Sequence, residues 1–129
     1  MKRLEPAQDA FGRVLLAYLD GRHGVATIVE RDDGYMDSES PAAYFHGFRR
    51  WFAVERQALR YVRGRVLDAG VGAGRVALEL QRRGHTVVGI DISPLVCRVA
   101  RRRGVRNVKV LALEDVDDSL GSFDTWSCS

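Results

Sequence analysis

Residues 66–75 read Val66-Leu67-Asp68-Ala69-Gly70-Val71-Gly72-Ala73-Gly74-Arg75, and the fold turns on them. A short apolar strand runs into an acid. Glycine then recurs at 70, 72 and 74, which suits a turn with unusual backbone angles that a ligand can approach with no Cβ in the way. Val76, Ala77 and Leu80 follow at helical spacing, predicting a helix over 74–83 closed by Gly84. A helix that begins in such a turn presents free N–H groups and a partial positive charge to whatever lies above it.

The pattern continues downstream. Thr86-Val87-Val88-Gly89-Ile90 is a second apolar strand and ends in Asp91. Ser93-Pro94 caps a helix over about 93–103, with Leu95, Val96, Val99 and Ala100 inward and Gly104 as its stop. Val108-Lys109-Val110-Leu111 is a third strand. The order β-α-β-α-β predicts an α/β fold, a Rossmann-like parallel sheet with right-handed crossovers and helices packed on it. Asp91, 17 residues beyond Gly74, then stands where a carboxylate accepts both ribose hydroxyls of a nucleoside.

Upstream, Pro6 opens a helix whose stripe is Ala7, Ala10, Phe11, Val14, Leu15 and Tyr18, stopped by Gly21. Thr27-Ile28-Val29 and Tyr35-Met36, joined through Asp33-Gly34, predict a hairpin over 27–37. Ser40-Pro41 begins a stripe of Tyr44, Phe48, Trp51, Phe52, Ala58, Leu59 and Val62, predicting a long aromatic helix over 41–63. The division that follows is a cap of helix and hairpin over 1–40 and a Rossmann-like half domain over 41–129.

The 129 residues allow one domain, and 46% hydrophobic with 29% charged residues excludes a disordered or fibrous chain. No apolar run reaches the ~20 residues of a membrane span, and Met1-Lys2-Arg3-Leu4-Glu5-Pro6 lacks a signal-peptide core. Cys97 and Cys128 form no metal-ligand pattern, so a reducing, cytoplasmic setting is expected, with no bound metal. The net charge of +3 comes from interspersed signs, with 18 Arg and 2 Lys. Arg98, Arg101, Arg102, Arg103 and Arg106 read as a solvated helix face, so neither nucleic acid nor membrane is expected as a partner.

Two ligand classes fit a glycine turn between strand-end acids. Dinucleotides favour Gly-x-Gly-x-x-Gly, but here Arg75 stands where the last glycine belongs. S-adenosylmethionine carries a cationic amino group, and Asp68 lies two residues before Gly70. The segment 66–75, with Val88-Gly89-Ile90-Asp91-Ile92-Ser93, resembles the first two motifs of class I S-adenosylmethionine-dependent methyltransferases. The resemblance covers roughly residues 41–126. It implies S-adenosyl-L-methionine as cofactor, held by Asp68, Ala69, Gly70, Gly72 and Gly74 at its methionine part. It also implies Asp91 at the ribose, and Ile92 and Glu114 near the adenine.

The family's sheet order makes the strands 3-2-1-4, with a fourth strand expected at Phe123-Asp124-Thr125. The family has seven strands, and this chain supplies at most four. It therefore reads as an amino-terminal part of the pattern, lacking the acceptor-binding half and any assignable catalytic residue. With a stunted fourth strand, Val66-Leu67 becomes nearly an edge, and a homodimer that covers it is expected. The other readings are a dinucleotide-dependent oxidoreductase fragment and a non-catalytic, self-associating nucleotide-fold module.

Overall fold

The computed structural model describes residues 9–21, 27–30, 36–39 and 45–128, with the hairpin strands and Cys128 described through their backbone alone. Its centre is a parallel sheet of β3 (Val66–Ala69), β4 (Val87–Asp91), β5 (Asn107–Val110) and β6 (Thr125–Cys128). The order across it is β5-β4-β3-β6, the expected 3-2-1-4. Val66 pairs with Val87 and Ala69 with Ile90, so the strands finish level and their acids come to one end. A separate antiparallel pair, β1 (Thr27–Glu30) and β2 (Met36–Glu39), confirms the hairpin in register Thr27↔Glu39. Its Asp33-Gly34 turn lies outside the described residues, as do Pro6 and Tyr44.

The two faces of the sheet are covered differently. On one, α3 (Arg75–Arg82) and α4 (Pro94–Arg103) bury Val66, Val87 and Val108 beneath Ala77, Leu80, Cys97 and Ala100. On the other, Leu67, Ala69, Val88 and Ile90 lie under Leu111, Val116 and Phe123 from the connection to β6. Helix α1 (Ala10–Leu19) packs outside α4, its buried Leu15 clustering with Val96, Val99 and Ala73.

Three expectations are corrected. The 41–63 helix is not continuous. It is a 3-10 turn at Phe48–Arg50, extended backbone at Trp51 and Phe52, then α2 (Ala53–Ala58) and a second 3-10 turn at Leu59–Tyr61. The break lets the buried Trp51 indole donate to the His46 carbonyl at 3.1 Å and pack edge-on to Phe48. Aromatic residues are weak helix formers, so this packing decides the backbone. Phe52 is consequently 79% exposed instead of lying in a core stripe.

The fourth strand is longer than expected and lies further along the chain. Val66 pairs with Thr125 and Ala69 with Cys128, so β3 is interior and the free edge passes to β6. Arg103 also departs from the solvated face. Arg98, Arg101, Arg102 and Arg106 are exposed, but Arg103 is half-buried, because its planar fork finds two carbonyls below it.

Candidate functional site

The carboxyl ends of β3, β4 and β5 bring the singled-out residues together. Asp68 is fully buried in β3, level with Gly89 of β4, and Ala69 beside it is buried too. The chain then turns through Gly70, Gly72 and Gly74, all at positive φ (68°, 57° and 84°), where a side chain would be strained. Val71 N–H donates to the Ile90 carbonyl at 3.0 Å, tying the turn across to β4. Gly74 then serves as N-cap of α3 with no side chain to cap it.

Asp91 is held from three sides. Ser93 N–H donates to its Oδ1 at 3.0 Å, and the amides of Gly72 and Ile92 also reach its carboxylate. Burial holds its carboxyl above the ordinary aspartate range; those amides oppose the rise and the charge of Asp9 adds to it. The Gly72 amide thus joins the glycine turn to the second acid before any ligand arrives.

Above the turn the ground is open. A Cβ on Gly72 would meet nothing nearer than the Gly70 carbonyl, at 4.0 Å. Ile92 and Leu113, at the ends of neighbouring strands, are 44% and 46% exposed. A fully buried carboxylate, converging amides and bare apolar residues around free space fit a ligand with a cationic group, paired hydroxyls and a flat ring. Glu114 lies exposed in the 3-10 turn Leu113–Asp115, so Leu113 is the apolar neighbour at that strand end.

Arg75 occupies the place of a third dinucleotide glycine and serves as a brace. It pairs with Glu55 of α2 at 2.7 Å, and its guanidinium lies 4.8 Å from the Trp51 ring centroid. Arg103 braces the turn from below, donating to the Ala73 carbonyl at 2.7 Å and the Phe45 carbonyl at 3.3 Å. Neither brace is visible in spacing alone, since the partners lie 20, 30 and 58 residues away along the chain.

No general base is assembled among the described residues. His85 shares a 2.9 Å hydrogen bond with the Gly64 carbonyl, and His46 contributes its carbonyl to Trp51. Burial pushes the Cys97 thiol up to about 11, which makes it a poor nucleophile. Among the described residues no three His, Cys, Asp or Glu side chains gather as a metal site, and no helix is long and apolar enough to cross a membrane.

Residues 66–129 match the profile of a methyltransferase domain. A 2-heptyl-1-hydroxyquinolin-4(1H)-one methyltransferase of Mycobacteroides abscessus is 47% identical over 51 residues, 36% of this chain and 22% of its own length. A ubiquinone/menaquinone biosynthesis C-methyltransferase of a Geobacter species is 34% identical over 93 residues, 63% of this chain and 39% of its own. The crystal structure of a SAM-dependent methyltransferase from Bacteroides fragilis, in complex with S-adenosyl-L-homocysteine, superposes with a TM-score of 0.81 at 30% identity. It covers 88% of this chain, which spans 47% of it. The chain thus spans less than half the length of each.

Proposed function

We propose that this chain, which belongs to the class I S-adenosylmethionine-dependent methyltransferases, binds S-adenosylmethionine at the carboxyl ends of β3, β4 and β5. The carrying observation is the preassembled pair of strand-end acids: Asp68 buried beneath the turn, Asp91 held by the Ser93 amide and facing that of Gly72, and open space above. Asp68, with Ala69 and the turn of Gly70, Gly72 and Gly74, holds the methionine part. Asp91 accepts the ribose hydroxyls, Ile92 and Leu113 flank the adenine, and Glu114 lies at its rim. The bound cofactor supplies an electrophilic methyl group on a sulfonium. The chain's part is to bind and orient it, which accounts for much of the rate in an in-line displacement.

The dinucleotide reading loses its footing at Arg75, whose side chain is engaged with Glu55 and Trp51. Calorimetric titration with S-adenosylhomocysteine and with NADH tests the choice. Binding of the first alone is expected; binding of NADH alone would overturn the proposal.

The relatives named above are a 2-heptyl-1-hydroxyquinolin-4(1H)-one methyltransferase and a C-methyltransferase of ubiquinone/menaquinone biosynthesis, which supports a small organic acceptor over a protein or nucleic acid. With no paired base among the described residues, the 129-residue chain is expected to bind cofactor with little turnover in a radiolabelled-methyl screen.

A further inference from the structure

Helix α1 begins at Asp9, and an aspartate there normally caps its own helix. Asp9 does not; its side chain makes no cap bond. It is buried and accepts instead from the Ser93 hydroxyl, 84 residues away. That hydroxyl accepts in turn from Val96 N–H at 3.0 Å, capping α4, while Ser93 N–H holds Asp91 Oδ1 at 3.0 Å. Ser93 therefore joins three elements: α1 through Asp9, α4 through Val96, and the second strand-end acid through its amide.

Gly12 makes the approach possible. A Cβ there would come within 2.8 Å of Ser93 Oγ and 2.9 Å of Leu95 Cβ, and would also strike the Asp9 carboxylate. Glycine inside a helix costs about 1 kcal/mol relative to alanine, so its presence needs such a reason. The close approach serves the apolar packing of Leu15 on Val96 and Val99, and it also brings the start of α1 against the residue that orients Asp91.

We infer that Asp9 and Ser93 form a clasp through which α1 sets the position of the Asp91 carboxylate, making α1 part of the ribose-binding apparatus. The inference rests on the reading of Asp91 as the ribose acceptor. Asp9 and Ser93 are positioning residues, acting through Asp91 without touching the ligand. Among the described residues, Asp9 and the Cys97 thiol are the titratable groups that face the Asp91 segment.

Two measurements on the 129-residue chain test it. In calorimetry, Asp9→Ala is expected to weaken S-adenosylhomocysteine binding by about tenfold, the upper range for one lost hydrogen bond. Asp9→Asn keeps an acceptor for the Ser93 hydroxyl and should restore affinity. Gly12→Ala, which pries the helices apart, should reproduce the loss. In an Asp91→Ala background Asp9→Ala should change nothing, because coupled residues are not additive. A melting curve shows that each variant is folded.

The second measurement needs no ligand. The Ser93 amide proton resonance should follow Asp91 ionisation in the parent and in Asp9→Asn, and lose that dependence in Asp9→Ala. Should the parent fail to bind S-adenosylhomocysteine, the proposed function falls and this resonance alone decides the clasp. Full affinity in a folded Asp9→Ala variant, or an unaltered Ser93 titration, overturns it.

Discussion

Single residues at this site work against the stability of the fold that carries them. Asp91 is held above the ordinary aspartate range chiefly by burial, so the folded chain binds its proton more tightly than the unfolded chain does. Its contribution therefore favours folding at low pH and turns unfavourable as pH rises through the raised value. Asp91→Asn should raise the urea midpoint at neutral pH, and the advantage should shrink as pH falls toward the ordinary aspartate range. Asp91→Ala should weaken S-adenosylhomocysteine binding by ~1–3 kcal/mol, the scale for charged hydrogen-bond partners left unmade; undiminished affinity would remove Asp91 from the ribose site. Gly74 carries the opposite weight. It sits at φ 84°, and a Cβ would lie 2.6 Å from Val105 Cγ2. Gly74→Ala should cost ~1–3 kcal/mol in chemical denaturation, from backbone strain and overpacking together.

Between elements, the braces matter more than helix propensity. Arg103 links the end of α4 to the glycine turn through Ala73 and to the 45–58 segment through Phe45, and its guanidinium lies 4.8 Å from the Phe45 ring centroid. Phe45 in turn packs 4.8 Å from Tyr18 of α1. Arg103→Ala should lower stability by ~1–3 kcal/mol in thermal melts, and Arg103→Lys should not restore it, since an ammonium cannot span both carbonyls in one plane. Such a brace explains where sequence reading stopped. The run 66–111 was legible because buried parallel strands read as apolar runs and glycines punctuate the helices. The two acids and the turn were legible for the same reason. The 41–63 segment was not, because the indole bond to His46 and the packing on Phe48 outweigh a 3.6-residue period. Arg103 looked like its exposed neighbours because periodicity carries no information about a carbonyl 30 residues away. Asp9 escaped notice likewise, and Gly12 was the one local sign that something approached.

For the whole molecule, the open question is what covers the sheet's border. Because β6 pairs with β3 along four residues, β6 forms the border on this side of the sheet, opposite the β5 border, and its Trp126 is 58% exposed. We propose a two-fold homodimer joined along this strand, since like edges satisfy one another in a closed pair. Sedimentation at micromolar concentration should show a species of twice 14.4 kDa, and Trp126→Arg should shift it toward monomer. A clean monomer of the parent chain would refute the pairing.

The attachment of β6 is uneven along its length. Its foot is knotted to residues 63–65: Asp124 and Thr125 amides donate to the Arg65 carbonyl at 2.8 and 3.2 Å, Asp124 Oδ2 accepts from the Arg65 amide at 2.8 Å, and the Thr125 hydroxyl donates to the Arg63 carbonyl at 2.8 Å. Arg65 also lies over the Phe123 ring, 4.4 Å from its centroid. Within one chain, the strand beyond Thr125 is held by one ladder alone. In the monomeric Trp126→Arg variant, deuterium uptake should therefore climb along β6 from its foot to its tip, Thr125 exchanging slowest and Ser127 and Cys128 fastest. The strand behaves as a zip fastened at the bottom, and the loose end is the one beside Asp68. Uniform uptake along the strand would show that the knot does not govern its opening.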